Sequence, residues 1–524
     1  MKARQLQLLP FVILFLSACS NFHQEKGIPV NPLNISSTYQ KAGSTYQDRL
    51  QKIIDFKPAI DSIYSEFALK NNIPGIVYGI VADDRLLYFN GFGTINISEN
   101  YPVTQNSMFR IASMSKSFSA MAILKLRDEG KLSITDPAQK YVPELENLTY
   151  LTSDAPLITI ENLLTMTSGL PEDNPWADRQ MEMPDEEFTA LIGNGFSLSN
   201  NPGEKYEYSN LGYALLGRII TVVSGEPYQD YITENILNPL GMNNTCWEYS
   251  SVPDSLLALG YRWMNGQWLE EPMLHDGAFG VIGGLITSAE DFSKYVSFLL
   301  SAYPERNEVE TGPVKRSTLR EMQSAKTFRL APYEKNSKKE PCPKVLGYGY
   351  GLRTEVACDG FKNAGHSGGL PGFGSHYYFL PDYGIGIFSF CNKTYGGPWR
   401  ADEAAINLMR ENKIIQPRVL PVSEILEKRQ KQLVEFFHKQ NQDLEKKILA
   451  ENFYLDTPRE LRLHEINTTL DQTGEIISIG ELIPENQLRG SFRLKGNQKT
   501  VEVFFSLTPE KEPKIQALRF SFVE

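Results

Sequence analysis

The chain has 524 residues, of which 41% are hydrophobic and 22% charged. This globular composition excludes a disordered chain and a multi-span membrane protein. The formal net charge is -11. Nucleic-acid binding needs a concentrated positive field, so this negative net charge excludes a nucleic-acid partner. The same negative charge repels anionic lipid, which excludes attachment to a membrane by charge alone. The length allows one large catalytic domain and a smaller module.

The N-terminus is typical of an export signal. Lys2 and Arg4 precede an apolar run over 8–16 that is too short to span a membrane. The stretch that ends at Cys19 resembles the bacterial lipoprotein cleavage box, in which the cysteine becomes the lipid-modified first residue of the mature chain. We therefore predict a lipoprotein signal over 1–19 and anchoring to the bacterial cell envelope, in the periplasm or at the outer surface. An ordinary cleaved signal with an incidental cysteine is the alternative.

The remaining cysteines do not have the spacing of metal ligands. They lie at Cys246, Cys342, Cys358 and Cys391, without a CxxC or a Cys/His cluster. We therefore predict no metal and no cofactor. In an oxidising compartment Cys342 and Cys358 would bridge the loop between them, but free buried thiols fit the sequence equally well.

Hydrophobic periodicity predicts helices and strands in a mixed order up to about residue 415. Apolar residues at helical spacing predict an opening helix over 46–68, and a helix from 113 to 129 ends at Gly130. Asp83 and Asp84 suit a tight turn between two strands. Further helices are predicted over 160–166, 211–224 and 289–300, and strands over 75–82, 85–92, 376–380 and 384–390. Strands at both ends of a helical block predict one α+β domain.

A second, smaller domain follows a proline-containing linker over Pro417–Pro421. Five apolar residues at intervals of seven and four predict one long charged helix. Those residues are Leu426, Leu433, Phe437, Leu444 and Ile448. Strands are predicted over 475–483, 490–495, 500–507 and 515–523, with turns over 484–486 and 495–497. The predicted layout is therefore a signal over 1–19, a tether over 20–45, a large domain over 46–415 and a small α+β domain over 416–524 that has no catalytic constellation.

Ser113 and Lys116 form the first candidate pair. Both lie at the start of a predicted helix, so three positions place their side chains on one face. The positive end of the helix dipole favours a developing alkoxide and disfavours a protonated lysine, and burial lowers the lysine pKa further. Ser113 would then be a nucleophile and Lys116 its general base. A lone Ser-x-x-Lys is a weak signal, because a capping serine followed by a surface lysine gives the same pattern.

The surrounding motifs strengthen this pair. From residue 73 to residue 393 the chain resembles the penicillin-recognising serine hydrolases of the class C β-lactamase type, which include D-alanyl-D-alanine carboxypeptidases, D-aminopeptidases and esterases. The resemblance rests on motifs in the family's order, at 109–117, 130–137, 158–170, 201–217, 283–291 and 366–369. It implies an antiparallel sheet flanked by helices with an all-helical subdomain. Met166 departs from the family, where histidine is common, and we expect no effect on the chemistry.

The resemblance also implies roles for two later motifs. Tyr208-Ser209-Asn210 looks like the family's Tyr-x-Asn, with the Tyr208 phenol relaying a proton and the Asn210 amide fixing a substrate amide. His366, Ser367, Gly368 and Gly369 stand where β-lactamases carry Lys-Thr-Gly, and many carboxypeptidase-like or esterase-like members carry His-x-Gly. There the Gly369 N–H would join that of Ser113 as an oxyanion hole, with His366 tuning substrate recognition.

Two similar motifs stand out of order. Tyr88-Phe89-Asn90 also matches Tyr-x-Asn but precedes the nucleophile, and His275-Asp276-Gly277 also matches His-x-Gly but precedes the 283–291 motif. We predict that neither is catalytic.

The sequence thus predicts a serine hydrolase that acts through an acyl-enzyme on a D-amino-acid peptide or a small ester. Its partners would be a small-molecule or peptidoglycan-derived peptide substrate and the membrane, through the lipid anchor. Two alternatives remain, a class C-like β-lactamase and a catalytically weak penicillin-binding or sensor protein. Loops over 172–183 and 327–346 are expected to set the selectivity.

Overall fold

The computed structural model describes residues 33–44, 48–336 and 338–523. Cys19 and the predicted export signal lie outside the described residues, so the lipid anchor stays a prediction. The described residues fall into two units, 33–39, which contain a turn, and those from Gln40 onward. Among the described residues, no helix is long and apolar enough to cross a membrane. All further description concerns the second unit.

Runs of helices and runs of strands follow one another along the chain, as is typical of an α+β protein. Within the described residues the α-helices are Arg49–Asp55 (α1), Lys57–Lys70 (α2), Ser115–Asp128 (α3), Ile160–Leu164 (α4), Asn174–Ala177 (α5), Asp185–Gly193 (α6), Asn210–Ser224 (α7), Tyr228–Ile232 (α8), Ala289–Leu300 (α9), Arg316–Met322 (α10), Trp399–Glu411 (α11), Glu424–Lys439 (α12), Gln442–Ile448 (α13) and Arg459–Thr473 (α14). The strands are Gly75–Ala82 (β1), Arg85–Asn96 (β2), Tyr101–Pro102 (β3), Phe109–Arg110 (β4), Tyr261–Met264 (β5), Gln267–Glu270 (β6), Ile286–Thr287 (β7), Thr327–Ala331 (β8), Lys344–Tyr348 (β9), Arg353–Ala357 (β10), Lys362–Leu370 (β11), Phe373–Leu380 (β12), Ile385–Cys391 (β13), Ile476–Ile479 (β14), Ile483–Asn486 (β15), Arg489–Gly496 (β16), Thr500–Leu507 (β17) and Ile515–Val523 (β18).

A nine-stranded antiparallel sheet organises the large domain, in the order β3-β2-β1-β13-β12-β11-β10-β9-β8. Strand β1 is buried along its whole length. Its alternate residues enter two different cores: Val77 and Val81 pack in the larger core with α3 and α9, and Ile76 and Ile80 pack in a second core with α2 and α11. This period of two follows from the pleat, and it leaves helices on both faces of the sheet.

A second sheet forms the C-terminal domain. Strands β14, β16, β17 and β18 lie side by side, and β15 pairs with β16. Val501, Val503 and Phe505 alternate along β17 and are buried against Leu426 and Leu433 of α12. This domain therefore has its own hydrophobic core.

Several of the sequence-based elements differ from the structure. The opening helix is interrupted at Phe56, because Pro58 lacks the N–H that would continue the helical hydrogen bonding. The long C-terminal helix is interrupted at Gln440, which adopts a left-handed conformation with φ 38°. Residues 484–486, predicted as a turn, lie in β15. The helix α14 was not predicted, since its buried face consists of Ile466 and two threonines, a pattern with little apolar periodicity.

Cys342 and Cys358 form a disulfide bond, and Cys246 and Cys391 are free thiols. Of the two alternatives open at the sequence level, the structure selects the bridge for the first pair. The bond closes a loop with a sequence separation of 16 that contains β9 and β10.

We expect reduction of this disulfide to destabilise the large domain by about 2–4 kcal/mol, because the bridge restricts the unfolded chain. The measurement is the thermal midpoint with and without dithiothreitol. The thermal midpoint of the wild type should fall when dithiothreitol is added. The midpoint of the Cys342→Ser, Cys358→Ser double variant should be low and should not change with dithiothreitol. The midpoint of Cys246→Ser should respond to dithiothreitol like that of the wild type. A wild-type midpoint that does not change with dithiothreitol would contradict the expectation.

Candidate active site

A short turn presents Ser113 at the start of α3. Strand β4 pairs with β7, and the chain then enters a 3-10 turn over Ala112–Met114. Ala112 has φ 50°, a left-handed conformation that is uncommon for a residue with a side chain. The α-helix begins at Ser115 rather than at Ser113 as predicted. Ser113 nevertheless lies at the N-terminal end of α3, where the helix dipole is positive.

Lys116 contacts Ser113 directly. Its Nζ donates to Ser113 Oγ at 3.0 Å and to the carbonyl oxygen of Ile282 at 2.9 Å. The lysine side chain is fully buried. Burial lowers the pKa of Lys116 to about 7, although the charges of Asp178 and Asp173 oppose this change. A substantial fraction of Lys116 is therefore a neutral amine at pH 7, which is the form that can accept a proton from Ser113.

Tyr208 lies beside this pair, just before α7. The Ser209 side chain caps α7 by accepting the N–H of Gly212. The Tyr208 ring centroid is 5.2 Å from Lys116 Nζ. Burial raises the pKa of Tyr208, while the Arg353 charge and a hydrogen bond with Ser113 partly oppose this shift. Tyr208 is therefore a neutral phenol at pH 7, a group that can both donate and accept a hydrogen bond.

Asn210 is held by a chain of amide hydrogen bonds. Glu172, whose carboxylate only accepts, takes a hydrogen bond from Asn174 Nδ2 at 2.6 Å. Asn174 Oδ1 in turn accepts from Asn210 Nδ2 at 2.8 Å. This order leaves Asn210 Oδ1 buried and without a hydrogen-bond donor among the described residues. The free hydrogen-bonding atom of Asn210 is therefore an acceptor.

His366 lies on β11 and is neutral. Its Nδ1 is 2.7 Å from the carbonyl oxygen of Ser367, and its Nε2 is 3.2 Å from the hydroxyl of Tyr348. Because a carbonyl only accepts, Nδ1 carries the proton and Nε2 accepts from Tyr348. Burial, together with the charges of Arg353 and Lys116, lowers the pKa of His366 well below its ordinary value.

Two glycines bring β11 against the turn of Ser113. A Cβ atom at Gly368 would lie 2.4 Å from the carbonyl oxygen of Ile111 and 3.0 Å from Ala112 Cβ, so only glycine fits there. A Cβ atom at Gly369 would lie 2.8 Å from the ring of Tyr395. The structure thus places the last predicted motif next to the first one.

The structure brings four residues to the site that the motifs did not predict: Arg353, Tyr348, Asp178 and Tyr395. The guanidinium carbon of Arg353 is 5.7 Å from the Tyr208 ring centroid. Asp178 lies in the 172–183 segment that the sequence analysis named as a selectivity loop. No local pattern in the sequence marked the other three as site residues.

The out-of-order motifs lie elsewhere, as predicted. The Tyr88 hydroxyl and Asn90 Nδ2 both donate to Asp61, at 3.0 and 2.8 Å. His275 is exposed and bonded to Glu248 and Tyr249.

Comparisons with known proteins identify the family. A family model described as Beta-lactamase matches residues 55–410. Protein flp of Staphylococcus aureus (strain MW2) is 31% identical over 254 residues, which are 47% of this chain and 49% of that protein. Beta-lactamase-like protein 2 of Dictyostelium discoideum is 29% identical over 308 residues, or 56% and 52%. The chain spans about half the length of these curated relatives.

Two solved structures share the fold. The octameric penicillin-binding protein homologue from Pyrococcus abyssi has a TM-score of 0.58 and 24% identity, covering 89% of this chain and 96% of that chain. The penicillin binding protein from Bacillus halodurans has a TM-score of 0.51 and 23% identity, covering 67% and 98%. The predicted α+β fold of the β-lactamase and transpeptidase type is confirmed, with its additional C-terminal sheet domain. With the family model covering most of the chain, this protein belongs to the beta-lactamase family, which supports a serine hydrolase in general.

Proposed function

We propose that this protein hydrolyses an amide or ester bond through an acyl-enzyme on Ser113, and that its substrate is a short D-amino-acid peptide with a free C-terminal carboxylate. The observation that carries the proposal is the 3.0 Å contact between Ser113 Oγ and the buried Lys116 amine. The family assignment supports a serine hydrolase, and the charges around the site favour an exopeptidase.

In the first half-reaction Lys116 Nζ takes the proton of Ser113 Oγ while the oxygen attacks the substrate carbonyl carbon. The negative charge that develops on the carbonyl oxygen is stabilised by the N–H groups of Ser113 and Gly369. When the bond to the leaving group breaks, its nitrogen or oxygen receives a proton from the Tyr208 hydroxyl, which regains one from Lys116. Ser113 is then esterified.

In the second half-reaction a water molecule attacks the Ser113 ester. The water gives its proton to the base, and Ser113 leaves with a proton as the carboxylic product departs. Lys116 suits the role of base in both steps, because its pKa lies near neutrality whereas burial raises that of Tyr208. His366 stays neutral, and because both of its ring nitrogens are hydrogen-bonded within the protein, it supports the β11 edge of the site rather than supplying a positive charge.

Arg353 supports a substrate with a carboxylate. Its charge influences the pKa values of Tyr208, His366 and Lys116. In the described part of the chain Arg353 forms no ion pair, and its side chain is exposed. A guanidinium at this position matches the C-terminal carboxylate of a peptide, whereas a neutral ester would leave it unpaired.

A β-lactam remains a second candidate substrate, since the carboxylate of a penicillin or cephalosporin would also pair with Arg353. Steady turnover of nitrocefin by the purified protein would favour this activity, and acylation without turnover would favour a penicillin-binding or sensor role.

We expect Ser113→Ala to abolish covalent labelling by a fluorophosphonate or a fluorescent penicillin, because the variant lacks the attacking oxygen. The measurement is in-gel fluorescence of the purified full chain. Ser133→Ala, which alters an exposed serine, should label like the wild type. Undiminished labelling of Ser113→Ala would refute the assignment of the nucleophile.

We expect the rate of acylation to rise with pH through about pH 7, because Lys116 becomes a base only when it loses its proton. Lys116→Arg keeps a permanent positive charge, so its rate of acylation should be at least about 100-fold lower than that of the wild type at every pH. Lys125→Arg, on the same helix but paired with Glu129, should keep the wild-type profile. A wild-type rate that is flat between pH 6 and pH 8 would contradict this role of Lys116.

We expect Arg353→Gln to raise KM for a peptide with a free C-terminal carboxylate by about 10- to 100-fold, the range of a lost charge-assisted hydrogen bond. KM for the same peptide with an amidated C-terminus should change little. Arg489→Gln, in the C-terminal domain, serves as the control. If Arg353→Gln raised KM equally for both peptides, Arg353 would not bind the C-terminal carboxylate.

A further inference from the structure

We propose that Asp178, supported by Tyr395, binds an ammonium group on the acyl half of the substrate, so that short zwitterionic peptides are preferred over N-acylated ones. This inference rests on the proposed function and names its substrate class.

Asp178 is a buried anion with one neutral partner. It directly follows α5, is 4% exposed, and accepts a hydrogen bond from the Tyr395 hydroxyl at 2.9 Å. The neighbouring Arg179 pairs instead with Glu271, at 3.8 Å. Burial raises the pKa of Asp178 to about 6, so the carboxylate is mainly ionised at neutral pH. The charges of Lys116 and Arg179 offset part of the cost of burying this carboxylate, and a cation that bonds to it directly would offset more.

Asp178 lies at the reacting centre. Its partner Tyr395 packs against Gly369, and the adjacent Gly368 lies against the turn that presents Ser113. The Asp178 charge also acts on the pKa values of Lys116 and Tyr208. A substrate that reaches Ser113 Oγ therefore passes within the field of this carboxylate.

The positive group of the site lies toward the other end of the same strand. Arg353 is the cross-strand partner of Gly365 on β11, four residues before Gly369. At about 3.3 Å per residue the backbones at these two positions are about 13 Å apart. The Arg353 guanidinium lies beside the Tyr208 ring, and the Tyr395 hydroxyl donates to Asp178. An extended dipeptide separates its ammonium and carboxylate by about 7 Å. Opposite charges at the two ends of the site match a zwitterion that lies across Ser113.

Asn210 adds a second acceptor to the side of Asp178. Its side chain is bonded to Asn174 of α5, the helix that Asp178 follows, and its buried Oδ1 has no donor among the described residues. Buried acceptors are rarely left without a donor in folded proteins. A peptide substrate with a free amine supplies the missing donors, because its amide N–H and its ammonium group can both donate to these acceptors.

The test compares D-alanyl-D-alanine with its N-acetyl derivative on the purified full chain, by kcat/KM for cleavage of the peptide bond, with two D-alanines counted per cleavage of the free dipeptide and one per cleavage of the N-acetyl peptide. We expect the wild type to prefer the free amine by at least about 10-fold. Asp178→Asn should bring this ratio close to one, because any effect of the lost charge on Lys116 is common to both peptides and only the free amine loses a direct partner. Tyr395→Phe should reduce the ratio partially. Because a ratio of two substrates does not depend on the fraction of folded enzyme, partial misfolding of a variant does not affect the result.

Asp276→Asn is the matched control. Burial also raises the pKa of Asp276 to about 6, and a tyrosine hydroxyl, that of Tyr228, bonds to it at 3.1 Å. Asp276 does not influence the pKa of Lys116 or Tyr208, so its loss should leave the substrate ratio unchanged.

Protection of Ser113 from fluorophosphonate labelling by the same two peptides provides a readout that does not need turnover. The inference is supported if D-alanyl-D-alanine protects the wild type more strongly than its N-acetyl derivative does, and if this difference disappears in Asp178→Asn. Equal hydrolysis or equal protection by the two peptides, or a preference for the N-acetyl peptide, overturns it and leaves the hydrolase assignment intact. Absence of labelling at Ser113 is the separate result that defeats the proposed function.

Discussion

The neutral amine of Lys116 against the hydroxyl of Ser113 is the interaction on which the rest of the site depends. A lysine accepts a proton near neutral pH only where its charged form is disfavoured, and here the surrounding protein removes water from it. From Ser115 to Leu124, α3 is buried without a break. The two-sided sheet and the helical block therefore do more than support the fold, because they create the dry environment that sets the lysine pKa.

The other ionisable groups at the centre do not compete for this role. Burial raises the pKa of Tyr208 and lowers that of His366, so both are neutral throughout the physiological range. The pKa values of Lys116 and Asp178, about 7 and about 6, lie closer to neutrality. In the function that we propose, proton transfer falls to Lys116 and Tyr208, and charge recognition falls to Arg353 and Asp178.

The sequence predicted the order of the motifs but not the groups that surround them. The pairing of Ser113 with Lys116 follows from helical spacing, and strands such as β17 and β18 were predicted with their observed bounds because they alternate cleanly and end at turns. Arg353, Asp178 and Tyr395 reach the site from separate parts of the chain. Only tertiary packing brings such residues together, and no local pattern marks them. The sequence also did not predict the break in the helix at Gln440, because the spacing of apolar residues continues unchanged from α12 into α13.

The order of strands in the main sheet has a consequence for how the chain folds. The hairpin of β1 and β2 finds its neighbour only in β13, so Ile76 lies beside Cys391 after more than 300 intervening residues. Pairings at such sequence separation carry a large entropy of loop closure and slow the folding reaction. Until β13 has been made, the edge of β1 has no pairing partner and exposes its backbone hydrogen-bonding groups. The incomplete chain is therefore prone to aggregation. Shielding of the early hairpin until β13 has been made should therefore favour correct folding of this chain.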